Sequence, residues 1–283
     1  MAGMDEPENG TVESTGEKPK LRRRGVLAIP TLLTIMNVLF GFIAILLAMR
    51  ASQANVLGDP LRAGRLFQLA CWSLIIAAIF DTFDGLVARL MKATTEFGKE
   101  YDSLADVVTF GVAPAVLAYA WGLNQLGRLG AGIAFLFLVA GSLRLARFNV
   151  ISTKSDHRYF VGLPIPAGAL TLSSVINYAP QPVTDKGFAI VMMVVTIFIA
   201  FAMVSTVRYR SQKFSTVQKP VPVQVMLFIV LMIALFLKWP AEFMLLFGIF
   251  YVGSGPVVKL WSVAFPRSPE PEAAAPGTSS EQH

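Results

Sequence analysis

Cysteine and charge are what this chain has least of. Among its 283 residues there is one cysteine, Cys71, and it lies inside an apolar run. That excludes a disulfide framework and a cysteine-based metal site, and it leaves Cys71 a packing role. Charged residues make up only 15% of the chain against 54% hydrophobic ones, too few for an ordinary water-exposed domain, so the implied solvent is a bilayer. The first apolar segment follows a basic run but has no small-residue cleavage site after it, so it reads as a retained span rather than a signal peptide.

In place of charge the chain has long apolar runs, near residues 27–49, 66–88, 104–123, 129–148, 160–179, 187–207, 221–238 and 240–258. A spanning helix needs about 20 mostly apolar residues, so the expected fold class is an all-α integral membrane protein with about eight transmembrane helices. Pro164 and Pro166 interrupt the fifth run, and the last two share the short Lys238-Trp239-Pro240 turn. Residues 1–20 and 266–283 are rich in Glu, Pro, Gly and Ser and are expected to be disordered tails.

Basic residues orient the spans, because basic loops are held on the cytoplasmic side. With eight spans both termini share one side. That side would carry 18 of the 24 Lys and Arg residues, leaving Arg50, Arg62, Arg65, Arg128, Lys186 and Lys238 on the other. Both termini and the loops after spans two, four and six are therefore expected in the cytoplasm, at a bacterial-type inner membrane. A basic face against anionic lipid headgroups accounts for the net charge of +6, and no nucleic-acid partner is expected.

Against this apolar background four acids stand out. Asp81 and Asp84 close the second span in F-D-T-F-D-G-L-V-A-R, and Asp102 and Asp106 open the third in G-K-E-Y-D-S-L-A-D. A charge within a span is unfavourable by about 2.5 to 3.5 kcal/mol on insertion scales, which calls for a functional explanation. At about 100° per residue, Asp81 and Asp84 sit roughly 60° apart and Asp102 and Asp106 roughly 40° apart, so each pair shares a helix face. The short connection around Lys92 to Lys99 makes the two helices antiparallel neighbours, able to point all four carboxylates into one volume. Clustered carboxylates repel, and hard divalent cations such as Mg²⁺ or Mn²⁺ are their natural compensation. Gly85, Ala88 and Gly98 leave room beside the acids for a flat or bulky ligand, and Arg89 supplies a fixed cation suited to a phosphate oxygen. Metals, an arginine and a cleft lined by small side chains suit pyrophosphate chemistry. A single Asp near a helix end would only pair with a surface base; four at these spacings point to a site.

Asp81, Asp84, Gly85, Ala88, Arg89, Gly98, Asp102 and Asp106 fill D-x-x-D-G-x-x-A-R-x(8)-G-x-x-x-D-x-x-x-D without a gap or substitution. This resembles the signature of the CDP-alcohol phosphotransferases. The resemblance implies a core of six transmembrane helices, generally a homodimer, that cleaves a CDP-linked substrate and releases CMP. It further implies that Asp81, Asp84 and Asp102 hold one divalent metal, that Asp81, Asp102 and Asp106 hold a second, and that Asp106 is the general base. The residues alone do not choose between Asp102 and Asp106 for that role. Gly85, Ala88 and Gly98 would give the cytidine room, and Arg89 would support the diphosphate or the carboxylate array.

Three further segments, D-S-L-A-D-V-V-T-F-G-V-A-P-A (102–115), G-S-L-R-L-A-R-F-N (141–149) and F-V-G-L-P-I-P-A (160–167), look like those of bacterial and archaeal phosphatidylserine synthases. So does the first span, and the likeness runs from about 29 to 210. It implies CDP-diacylglycerol as donor and L-serine as acceptor, with membrane lipids around both. The expected organisation is then a tail at 1–20, a catalytic core at 21–210, two added C-terminal helices at 211–265 and a tail at 266–283. Glycerol 3-phosphate or inositol phosphate are the rival acceptors, and both would favour extra basic residues. A cation transporter fits poorly, since the acids gather at one end and no broken-helix repeat is visible.

Arg144 and Arg147, three apart near Asn149, read either as anchors reaching lipid headgroups or as ligands for a phosphate or the serine carboxylate. Thr34 and Asn37, one turn apart in an apolar helix, could bond a neighbouring helix or contact the nucleotide of the CDP-lipid. His157 falls in a polar loop and is expected at the surface rather than in catalysis.

Overall fold

A computed structural model describes residues 21–91, 95–152, 160–205, 208–209 and 223–264. The expected tails, His157 and the loop lysine Lys92 lie outside the described residues.

The first two helices form a long antiparallel hairpin, α1 (Leu21–Val56) and α2 (Pro60–Leu90). Three residues join them. Gly58 takes φ +80°, and Asp59 caps α2 by accepting the Arg62 backbone N–H at 2.9 Å, with Pro60 behind it where no N–H is missed. Both helices run past the apolar stretches that announced them, so Arg50 and Arg62 are helical rather than in a loop. The outer face of α1 presents Leu32, Ile35, Leu39, Phe42, Leu46 and Met49. Ala44, Ala48 and Ala51 face inward on the same helix and are fully buried. Apolar outside and small inside is the arrangement of a helix with lipid on one face and close-packed helices on the other.

The third span is one rod of three pieces, α3 (Glu96–Asp106), a π-helical segment (Val107–Val112) and α4 (Ala113–Trp121). It begins eight residues before the predicted 104, because Thr95 caps it by accepting the Gly98 N–H at 3.0 Å. Asp102 and Asp106 therefore stand in its second and third turns rather than at its start. The wider turn follows Asp106 directly. Pro114 has no N–H for the Phe110 carbonyl, and the Ala113 N–H reaches back five residues to Val108. Gly41 of α1 lets this segment come close: a Cβ there would lie 2.6 Å from Thr109 Oγ1.

A short 3₁₀ turn (Leu123–Leu126) leads into α5 (Arg128–Ser152), and the two-residue strands β1 (Phe160–Val161) and β2 (Arg208–Tyr209) pair antiparallel on either side of α6 (Ile165–Tyr178) and α7 (Lys186–Val204). α8 (Val223–Lys238) and α9 (Pro240–Ala264) follow, with α9 packed on α6. The shared core contains Phe67, Leu74, Phe110, Leu117, Trp121, Phe137, Leu172 and Cys71, which takes the packing role expected of it.

Among the described residues five helices are long and apolar enough to cross a membrane: Pro30–Val56, Pro60–Leu90, Glu96–Trp121, Arg128–Val150 and Lys186–Val204. The all-α membrane reading stands, while the count of eight does not follow from helix length. The fifth predicted span is the clear departure. Pro164 sits at the N-cap and Pro166 within the first turn, so the helix begins at Ile165, after an extended stretch, and has 14 residues. At 1.5 Å per residue it is about 21 Å long, short of a hydrocarbon core of about 30 Å. It is instead buried on most sides. The last two helices offer shorter apolar stretches, Gln224–Lys238 and Pro240–Gly255.

Candidate active site

The ends of α2 and α3 meet beside the start of α1 and bring the acids together. One carboxylate oxygen from each of Asp81, Asp102 and Asp106 lies within 4.8 Å of the others. Asp102 and Asp106 are a helical turn apart on α3, and Asp81 reaches them across the hairpin between α2 and α3. Oδ1 of Asp106 is shielded from solvent and has no hydrogen-bond partner. Three carboxylate oxygens so close, on acids one of which also has a buried oxygen without a partner, suit a hard cation with oxygen ligands.

Asp84 stands apart from this trio. It is 6% exposed and accepts a hydrogen bond from the Thr34 hydroxyl, which lies 3.1 Å from the Pro30 carbonyl. Of the four acids predicted to converge, three do so directly, and the fourth lies one turn further along α2 toward a cavity.

That cavity has a volume of about 440 Å³ and opens beside the acids. Thr34, Asp84, Gly85, Ala88, Arg89, Gly98 and Asp102, seven of the residues singled out from sequence, line it. Gly85 faces open space, with nothing within 4 Å of where a Cβ would be. Arg89 is exposed, and its Nε donates to the Gly85 carbonyl at 2.8 Å, which folds the side chain back along its own helix. Pro30 and Thr31 of α1 complete the wall with Thr95, Phe97, Lys99 and Tyr101, and the Phe97 and Tyr101 rings stack at 6.2 Å. Sequence reasoning missed these six. At α3 the signal was the helix phase, since Thr95, Gly98 and Asp102 recur on one face, but the start of the helix was placed too late to use it.

The remaining candidates separate. Asn37 is fully buried, yet neither atom of its amide has a partner, and it does not line the cavity. Its link to a neighbouring helix is through the backbone, the Thr109 hydroxyl donating to its carbonyl at 3.3 Å. Arg144 on α5 is 8% exposed, interacts electrostatically with Asp106, and has an Nε with no hydrogen-bond partner. Arg147 is exposed. Asn149 ties α5 to the acidic helix, its Nδ2 donating to Ser103 Oγ at 2.9 Å next to Asp102.

A bundle of apolar helices with three carboxylates converging beside a cavity describes a membrane protein whose acids could hold a metal ion. Residues 27–202 match the model of the CDP-alcohol phosphatidyltransferase family, and the chain belongs to that family. Members of the family use a divalent metal, and the cluster of Asp81, Asp102 and Asp106 could hold one here.

Among curated proteins the chain is 48% identical over 104 residues to a CDP-diacylglycerol–serine O-phosphatidyltransferase of Helicobacter pylori, covering 37% of this chain and 44% of that protein. It is 34% identical over 187 residues to the enzyme of that name from Methanocaldococcus jannaschii, covering 66% of this chain and 75% of the relative. For the Bacillus subtilis enzyme the identity is 32% over 181 residues, covering 64% of this chain and 89% of the relative. The match thus spans less than half of the Helicobacter protein and most of the other two.

Proposed function

We propose that this protein transfers the phosphatidyl group of CDP-diacylglycerol to the hydroxyl of L-serine, giving phosphatidylserine and CMP. The observation that carries the reading is the convergence of Asp81, Asp102 and Asp106 at a cavity lined by Asp84, Gly85, Ala88, Arg89 and Gly98. The names of the relatives favour serine over other alcohols. The catalytic core is residues 21–210, and the reaction takes place at the cytoplasmic face of the cell membrane, in a homodimer.

In this reading the acyl chains stay in lipid while the diphosphate enters between α2 and α3. Gly85 and Gly98 leave space for the nucleotide, the Thr34 hydroxyl holds the Asp84 carboxylate in place, and Arg89 turns from the Gly85 carbonyl to a phosphate oxygen. Asp81, Asp84 and Asp102 would hold one Mg²⁺ or Mn²⁺ ion and Asp81, Asp102 and Asp106 a second. Bound there, the ions would neutralise the diphosphate and stabilise the departing CMP. Asp106 takes the proton of the serine hydroxyl, whose oxygen bonds to the phosphorus that bears the diacylglycerol. The bond from that phosphorus to the bridging oxygen breaks, and CMP leaves with the oxygen. Arg144, a buried cation that interacts electrostatically with Asp106, would meet the serine carboxylate.

The test gives the purified protein CDP-diacylglycerol with serine, glycerol 3-phosphate or inositol 1-phosphate and follows CMP release and the lipid product. CMP release that depends on serine and yields phosphatidylserine is expected. A preference for either phosphorylated alcohol would overturn serine and keep the phosphotransferase chemistry, and no CMP release with any alcohol would overturn both.

A further inference from the structure

The small residues of the cavity make space for a nucleotide but offer little to hold one. Gly85 has nothing within 4 Å of where its Cβ would be, and neither Ala88 nor Gly98 carries a group that could grip a flat ring. At about 440 Å³ the cavity falls within the range of about 300 to 1,000 Å³ typical of ligand sites. Sites of that size draw most of their affinity from apolar and aromatic walls.

Such a wall is present on α3. Among the described residues Phe97 and Tyr101 are the only rings lining the cavity. They stand one helical turn apart, their planes are within 4° of parallel, and their centroids are 6.2 Å apart. Phe97 is 74% exposed, so most of an apolar ring at the cavity is left uncovered by protein. The pair also lies at the right level along the helix. Phe97 is five residues and Tyr101 one residue before Asp102. At 1.5 Å per residue, the rings are spread over about 7.5 Å from the acid toward the start of α3. A nucleotide carries its phosphates and its base at opposite ends of the ribose. With the phosphates drawn to the carboxylates, the base extends along α3 to the rings.

We infer that Phe97 and Tyr101 form the platform on which the pyrimidine ring of the CDP-lipid stacks. The inference deepens the reading above and rests on its donor half, CDP-diacylglycerol, and not on serine. Aromatic rings stack on the π-face that every base has and read no hydrogen-bonding edge. The pair therefore supplies affinity for a nucleobase rather than a preference for cytosine. Gly85 and Gly98 leave the base room, and the two rings hold it.

The test is equilibrium binding of CMP to the full chain in detergent micelles with Mg²⁺ and no acceptor. Ribose 5-phosphate, which keeps the sugar and phosphate but has no base, is measured beside it. Phe97→Leu and Tyr101→Leu should each weaken CMP roughly five- to twentyfold and leave ribose 5-phosphate unchanged. Binding of UMP should weaken in step with CMP. Tyr101→Phe keeps the ring and should bind CMP as the wild type does. So should Phe42→Leu, which alters an exposed aromatic on the outer face of α1, away from the cavity. In steady-state assays the KM for CDP-diacylglycerol should rise by a similar factor in the two leucine variants, with the serine KM unmoved. CMP affinity equal to wild type in both leucine variants would overturn the platform and leave the rings as anchors in an interfacial aromatic belt. An equal loss of CMP and ribose 5-phosphate would also overturn it, since the cavity as a whole would then be damaged. A wild-type protein that binds no CMP would overturn the donor reading and the platform together.

Discussion

The same helices are finished differently at their two ends. Away from the acids, Trp121 is 1% exposed, its Nε1 donates to the Ala179 carbonyl at 3.0 Å, and its own carbonyl accepts the Val183 N–H at 2.9 Å. Gly122 packs on Val183 and Gly64 on Gln181, and in both places a Cβ would already be at 3.0 Å. At the acidic end a cavity separates α2 from α3, and Asp106 and Arg144 keep buried atoms without partners. The far end has unpartnered atoms too, on Asn124 and Asn177, but those side chains are neutral. Among the described residues, buried charged side chains with an unpartnered atom occur only at the end where the acids meet. The closed end holds the helices in register, and the open end keeps its bonding capacity for ligands.

That contrast breaks most completely at the carboxylates. Asp106→Asn keeps shape and removes both a proton acceptor and an anionic ligand, so turnover should fall by at least about a hundredfold in CMP-release assays. CDP-lipid binding should persist, because Asp81, Asp84 and Asp102 remain. Chelation of divalent cations should abolish activity in the wild type. Near-normal turnover in either experiment would remove the chemistry assigned to this end.

At the closed end the expected damage is to stability. Trp121→Ala empties a fully packed site and leaves the Ala179 carbonyl without its donor, a loss of about 3 to 5 kcal/mol on the scale of large-to-small core changes. Thermal unfolding in detergent should show a lowered midpoint, while kcat per folded molecule is retained. A kcat loss without a stability loss would mean that the two ends are not separable.

Gly85 tests the cavity itself. Nothing occupies the space where its Cβ would be, so Gly85→Val should fold normally, fill part of the volume and raise the KM for CDP-diacylglycerol roughly tenfold. The serine KM should stay put. If the donor KM were unmoved, the nucleotide would bind elsewhere.

The parts of this organisation that could be read from sequence are those that depend on spacing along one helix. Asp81 with Asp84, and Asp102 with Asp106, are pairs of that kind, and Gly85, Ala88 and Gly98 follow from the same phase. Long apolar runs gave the helices, because lipid rewards uniform apolarity over about 20 residues. What spacing could not supply was anything that depends on which helix packs where. Asp84 leaves the trio because Thr34 of α1 engages it, a pairing across fifty residues. α6 is short because Pro164 and Pro166 set its start, and apolarity alone does not distinguish a buried helix from one that spans. Arg144 and Arg147 look equivalent three residues apart, yet they differ in burial.

Arg147, the exposed member of that last pair, gives the smallest expected effect. Both arginines sit near the acidic end of α5 and both could in principle meet an anion. Arg144 is 8% exposed beside Asp106, so Arg144→Ala removes a charge-assisted contact and should raise the serine KM by about ten- to a hundredfold. Arg147 is exposed, where a cation is already solvated and screened and a contact to lipid headgroups is worth about 1 kcal/mol. Arg147→Ala should therefore leave the serine KM and kcat in neutral micelles unchanged. Any loss should show only as weaker activation by anionic lipid, by no more than about fivefold. Serine titrations of the two variants in micelles with and without anionic lipid separate the cases. If Arg147→Ala raised the serine KM as much as Arg144→Ala does, burial would not be what distinguishes them, and the acceptor would extend to the exposed face of α5.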